Sequence, residues 1–321
     1  MRRNLWRWGR FAGSALVLAV LVWRLGTSPF LAGLRSVGVG TLAAGAGLAA
    51  LTTVCCAWRW KVVARGLGVD LPLPSAVAAY YRSLFLNLTL PGGIGGDVHR
   101  GVNHGRHVSD VGRALRSVAW ERLAGQVVQV VLAAIVLIAL PSPVRGFIPP
   151  VAAATVAVAV AGALVLIARA RPGRGPAWWA RVRGAAAGDV RNGLLARRAW
   201  LTVSVASVVV VGGHALTFLI AAHAAGADAP LSRMLPIALL VMVVTAVPSV
   251  GGWGPREGAA AWVFGAAGLG AQHGVATAVV YGVMMLVASL PGAAVLVMTW
   301  FRRDDPPHRA RQRLRERAAN A

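Results

Sequence analysis

Three carboxylates set the chemical question in this chain. Of its 10 acidic residues, set against 33 Lys and Arg, only Asp97, Glu121 and Glu257 fall in or beside long apolar stretches. An ionised side chain is costly in hydrocarbon and persists there paired or facing a polar cavity, so each is a candidate functional group. Two of them lie in closely similar motifs, LPGGIGGDVHR from Leu90 to Arg100 and VPSVGGWGPRE from Val247 to Glu257. Each motif ends an apolar run with Pro and continues with packed glycines, Gly92, Gly93, Gly95 and Gly96 in the first and Gly251 and Gly252 in the second; each then presents a carboxylate and an arginine. Pro and Gly leave backbone N–H and C=O groups unpaired, which lipid cannot satisfy, so such breaks occur inside protein or beside a polar cavity. Paired breaks mark a transport-type site.

Arg82, Arg100 and Arg256 are candidate cations for a phosphate, because a guanidinium offers several donors in a fixed fork. Amides of the glycine runs could add anion-binding donors. Asn87 and Arg122 complete the candidate substrate-binding set. The bland reading pairs Glu121 with Arg122 or Arg116, and Glu257 with Arg256, at the membrane interface, and leaves the arginines to set topology.

Other chemistries find less support. The first glycine run fails the GxGxxG spacing and follows no strand, so it is not a dinucleotide loop. Lys61, the only lysine, sits in Trp60-Lys61-Val62, outside any GK[ST] phosphate loop. Asp97, His99, His104 and His107 raise a metal question, but no HExxH or comparable signature accompanies them. His214 and His223 read as core histidines of one span, and Cys55 and Cys56 as small hydrophobes. Neither a catalytic residue nor a metal or cofactor is expected, and the chain is not read as an enzyme.

The elements that must position these groups are membrane helices. Hydrophobic residues make up 57% of the 321, which excludes a soluble domain and a disordered chain. A span needs about 20 apolar residues, and that criterion predicts an all-α bundle of eight spans. These are Phe11–Gly26 with its flanks, Val37–Trp58, Ser117–Leu140, Phe147–Ala168, Trp200–Ala222, Met234–Val250, Gly258–Leu269 and Val275–Trp300. Gly258–Leu269 is too short to cross alone and must begin in the break before it or tilt. Ser75–Pro91 carries Arg82 and Asn87 and has basic residues on both flanks, so it is read as a re-entrant helix. The first apolar run is taken as an uncleaved span.

The formal charge of +23 lies between spans and at the termini, as the positive-inside rule places it. Nucleic acid is therefore not an expected partner, and anionic lipid is. Residues 1–301 form the transmembrane domain, with halves 1–168 and 200–301 joined by a basic cytoplasmic linker, 169–199, and followed by a basic tail, 302–321. Trp178-Trp179 in the linker suits a surface helix as well as a solvated connection. Both termini are placed in the cytoplasm of a cell in whose plasma membrane the protein resides.

The assembled motifs resemble a known family. Asn87 with LPGGIGGDVHR, WERLAG from Trp120 to Gly125, PSVGGWGPREG from Pro248 to Gly258, and LPG from Leu290 to Gly292 are similar to the flippase-like transmembrane domain of lysylphosphatidylglycerol synthases. Trp253 and Pro255 depart from the commoner pattern. The resemblance implies movement of aminoacylated phospholipid between leaflets. With the chain ending at Ala321, it implies translocation without the aminoacyl-tRNA-dependent synthesis of the bifunctional relatives. Stand-alone members suggest other substrates, including polyprenyl-linked sugars. The expected function is thus a flippase or scramblase for a phospholipid or polyprenyl-linked lipid, with a lipid-modifying enzyme or glycosyltransferase as a possible partner. The alternative is a subunit that presents a polyprenyl phosphate to a glycosyltransferase.

Overall fold

The computed structural model describes residues 2–90, 93–140, 184–194, 196–245 and 253–303. The expected span Phe147–Ala168, the Trp178-Trp179 pair, the tail beyond Arg303, and Gly92, Gly251 and Gly252 lie outside the described residues. Among the described residues these α-helices follow in order: α1 Arg2–Leu25, α2 Ser28–Arg35, α3 Val39–Gly66, α4 Leu73–Thr89, α5 Gly95–His107, α6 Val111–Ala139, α7 Arg197–Ala224, α8 Leu231–Val244, α9 Pro255–Ala266 and α10 Ala271–Arg303. A π-helical turn, Val190–Leu194, precedes α7.

Among the described residues four helices, α3, α6, α7 and α10, are long and apolar enough to cross a membrane, and a fifth span results if α1 and α2 count as one. Those two are bent by 98° at Gly26, whose φ of +74° a glycine adopts without strain. Their outward side chains, among them Leu16, Val54, Val131, Ile138, Val205 and Val297, are exposed, as lipid-facing residues of a multi-pass membrane protein are. Trp23, Trp200 and Trp300 stand exposed near helix ends, where amphipathic rings anchor at the head-group layer.

The expected count of eight spans does not emerge from the described residues. One of the eight, Phe147–Ala168, lies outside the described residues, and two others are represented there by short helices. In place of Met234–Val250 and Gly258–Leu269 stand α8, with 14 residues, and α9, with 12. At 1.5 Å per residue α8 reaches about 21 Å, short of the roughly 30 Å hydrocarbon layer. α4 and α5, with 17 and 13 residues, flank the first break in the same way.

The element order is therefore one pattern repeated: long, short, break, short, long for α3–α6, and again for α7–α10. Packing follows the same symmetry. The two leading long helices, α3 and α7, pack on each other; α4 packs on α10 as α8 packs on α6; and α5 lies against α4 and α6 as α9 lies against α8 and α10.

The repeats point in opposite directions. At one end of the bundle, Val63 and Leu67 of α3 cluster with Trp120 and Ala124 of α6, Leu194 and Val203. α4 and α5 thus leave from and return to that end. At the other end, Leu137 of α6 clusters with Phe218 and Ala222 of α7, Met234 of α8, Phe264 and Ala267 of α9, and Ala278 of α10. There α8 and α9 make the second hairpin, which enters from the opposite side.

Glycines set the closest crossings, as small residues do where helices must approach in lipid. A Cβ on Gly96 would collide with the Ser83 carbonyl, one on Gly292 with the Tyr81 carbonyl, and one on Gly274 with the Ala260 carbonyl. Asp189 receives hydrogen bonds from Arg116 Nε at 2.7 Å and Trp120 Nε1 at 3.2 Å. The last part of the predicted linker is accordingly docked on α6 rather than solvated.

Candidate functional site

Charges from α3, α5 and α6 form one alternating ladder, buried except at Arg122, whose side chain is 41% exposed. Arg59 donates to Glu121 Oε1 through Nε at 2.8 Å and Nη2 at 2.5 Å. Arg100 Nη2 donates to Glu121 Oε2 at 2.8 Å, and Arg100 Nε to Asp97 Oδ1 at 3.0 Å. Arg122 Nη2 ends the ladder, 2.6 Å from Asp97 Oδ2. Each carboxylate bridges two guanidiniums, so three cations face two anions. Glu121 and Arg100 have no exposed surface, and burying ions is tolerable only when partners saturate them. Tyr80 Oη donates to Glu121 at 2.9 Å, while Ser83 Oγ and Asn87 Nδ2 each donate to Asp97 at 3.1 Å. Asn87 Oδ1 in turn accepts the Gly96 N–H at 2.8 Å, which holds the start of α5 against the end of α4.

The local sequence explains these placements. Gly125 lies one turn after Glu121, and a Cβ there would strike the Arg59 guanidinium, so WERLAG supplies in one helical stretch the central carboxylate, the terminal arginine and the space for a third chain. The Arg100 guanidinium lies over the rings of Tyr80 and Trp60, 4.2 and 4.6 Å from their centroids. Aromatic faces stabilise a desolvated cation, which accounts for burial of Arg100 although its Nη1 has no hydrogen-bond partner.

The second break repeats this arrangement with fewer parts. Arg256 donates to Glu257 Oε1 from Nε at 3.0 Å and from Nη2 at 2.6 Å, and Glu257 Oε2 accepts the Gly254 N–H at 2.7 Å. Gly254 has φ of +103°, a value side chains rarely adopt. The Arg256 guanidinium sits 5.3 and 5.5 Å from the Trp253 and Tyr281 rings, and Gly282 leaves room for it, since a Cβ there would meet Nη2. Trp253 is thus one of the two rings beside this cation.

One cavity of about 630 Å³ borders both breaks: Gly93, Ile94 and Asp97 line it from the first hairpin, Pro255 and Arg256 from the second. Both ends of the ladder, Arg59 and Arg122, face it, as does Asn87. Among the described residues, Arg122 Nε is buried and without a hydrogen-bond partner. His214 and Tyr281, also lining the cavity, are joined by a 3.1 Å contact between His214 Nδ1 and Tyr281 Oη. Leu84, Leu88, Met242 and Met285 add apolar wall.

The remaining sequence-predicted residues stand behind this wall. Glu121, Glu257 and Arg100 support it from fully buried positions, and Arg82, though buried on α4, is not among the lining residues. Gly96 is a packing residue, and Gly95 is in contact range of Leu90. The expectation that Glu121 pairs with Arg122 or Arg116 is corrected: its partners are Arg59 and Arg100, while Arg122 serves Asp97 and Arg116 serves Asp189. The pairing of Glu257 with Arg256 is as expected. His223 lies apart from His214, exposed beside Asp228. Among the described residues no group of three His, Cys, Asp or Glu could hold a metal ion.

Sequence reasoning missed Arg59, Tyr80, Gln126, Gln129 and Tyr281 at this cavity. Arg59 reads as a flanking cation because its partners are distant in sequence. Gln126 and Gln129 carried a usable signal, since they lie four and seven residues after Arg122 and extend one polar face along an apolar helix.

No curated protein and no solved structure matches the chain. The family model described as the lysylphosphatidylglycerol synthase TM region matches residues 7–292, a stretch that holds both breaks, the ladder and the Gly292 crossing. The chain belongs to the lysylphosphatidylglycerol synthase transmembrane-region family.

Proposed function

We propose that this protein moves a lipid with a phosphate-bearing head group between membrane leaflets, as a flippase or scramblase and without catalysing a covalent reaction. The observation that carries this reading is the shared cavity, bordered by both breaks, where Arg122 of α6 and Arg256 of α9 face one space among largely apolar walls. Moving a charged head group through hydrocarbon is opposed by loss of its hydration. Guanidinium and amide donors fixed around the cavity replace that water, while the acyl chains stay in the bilayer. Broken helices at a repeat interface are the setting in which many transporters bind substrate and rock one repeat against the other.

Orientation follows from charge. Lys61, Arg65, Arg106, Arg113, Arg116 and Arg191 belong to the end from which α4–α5 enters, and the positive-inside rule makes that end cytoplasmic. α10 then returns to it, so the carboxyl terminus is cytoplasmic, and the plasma membrane is the proposed site. The test is leaflet exchange of fluorescent phospholipids in proteoliposomes, read by quenching of the outer leaflet. Well-folded protein that accelerates exchange of no lipid would overturn the proposal.

A further inference from the structure

We infer that the cavity selects a head group that is a phosphate anion carrying uncharged hydroxyls, and discriminates against one bearing an ammonium group. This rests on the lipid-translocation reading above and concerns the charge of what is carried.

Charge points that way first. Among the described residues, Arg59, Arg122 and Arg256 line the cavity as cations and Asp97 as the one carboxylate. Counting the groups ion-paired to that wall, Arg59, Arg100, Arg122 and Arg256 face Asp97, Glu121 and Glu257, which leaves one positive charge uncompensated. Among the described residues Arg122 Nε has no partner and the Arg122 side chain is 41% exposed, so this guanidinium has donor capacity left for an anion.

An ammonium group finds no counterpart. Asp97 already accepts from Ser83, Asn87, Arg100 and Arg122, which uses both of its oxygens. Aromatic faces are the other common receptor for ammonium groups, and those near the cavity are engaged: Arg100 lies over Tyr80 and Trp60, Arg256 over Tyr281 and Trp253. The protein's own guanidiniums hold the places that a lysyl or choline head group would need. Uncharged polar groups are present instead, with Gln126, Gln129 and Thr245 on the same wall. A carboxamide both donates and accepts, as a hydroxyl partner requires. Phosphatidylglycerol and a polyprenyl phosphate carrying a sugar share this chemistry.

The test uses the purified full chain and two independent readouts, lipid binding by native mass spectrometry and leaflet exchange in proteoliposomes. The probes are phosphatidylglycerol, lysyl-phosphatidylglycerol, phosphatidylcholine and a polyprenyl phosphate sugar. Phosphatidylglycerol or the polyprenyl sugar should bind at least about tenfold more tightly than the lysyl and choline lipids, because a buried charge without a partner is strongly disfavoured. The tighter of the two favoured probes identifies the source. Gln126→Glu should narrow or reverse the preference by supplying an ammonium with a carboxylate. Lysyl-phosphatidylglycerol binding as well as phosphatidylglycerol to the unmodified protein, or no binding of any probe, overturns the inference. Selective binding without leaflet exchange would instead sink the translocation reading alone, and exchange without charge preference would sink this one.

Discussion

Replacing Glu121 by Gln tests whether the ladder is one electrostatic unit. The carboxylate accepts four hydrogen bonds, two from Arg59, one from Arg100 and one from Tyr80. A carboxamide keeps one acceptor oxygen and turns its amino group toward a guanidinium, so one side of the bridge is lost, and the ladder goes from one excess positive charge to two. Taking one partner from a buried ion pair costs about 3–5 kcal/mol. With about 2 °C of melting temperature per kcal/mol in a chain of this size, the fall should be about 6–10 °C. The assay is thermal unfolding in detergent, followed by tryptophan fluorescence. Two controls sharpen it. Arg113→Gln removes the pair with Asp110, whose two side chains are 44% and 42% exposed, and should cost no more than about 1 kcal/mol because solvent screens it. The double variant Arg59→Gln/Glu121→Gln restores the original excess of charge and should cost less than the sum of the single changes, by about 1–3 kcal/mol. A fall below about 2 °C for Glu121→Gln, or strict additivity in the double variant, would refute the ladder as a coupled unit.

Gly125→Ala should displace the Arg59 guanidinium and lower both melting temperature and leaflet exchange, whereas Gly212→Ala, where a Cβ meets nothing within 4 Å, should leave both unchanged; equal effects would discount the proposed seat. Arg122→Gln should cut exchange of an anionic lipid about tenfold by removing a charge-assisted donor. Its effect on melting temperature should be small, because Asp97 retains Arg100, Ser83 and Asn87; a large loss of stability with unchanged lipid selectivity would make it a structural residue. In a background free of Cys55 and Cys56, single cysteines placed by His107→Cys and Arg191→Cys should label from the cytoplasmic side, and labelling of both only from outside would invert the topology.

The sequence by itself determined the class of protein, the two broken segments, the family and most of the residues that carry charge into the bundle. Those features are local or compositional: apolar runs, Pro and Gly at their ends, and acidic residues where hydrocarbon should exclude them. In sequence, basic residues on both flanks of Ser75–Pro91 argue for both flanks on one side of the membrane, since opposite sides would break the charge asymmetry. Tertiary structure decided which charges meet. Arg59 is 62 residues from Glu121, and no periodicity links them; only the packing of α3 on α6 brings them together, with Gly125 leaving the space. Likewise α8 and α9 read as two spans in sequence, since a hydrophobic window measures composition and not direction. Their lengths, 14 and 12 residues, and the cluster that joins Met234 with Phe264 place the start of α8 and the end of α9 at one end of the bundle. That Arg100 and Glu257 support the cavity wall while Arg122 and Arg256 face it follows from helix rotation and burial, which are fixed by the whole bundle rather than by any one segment.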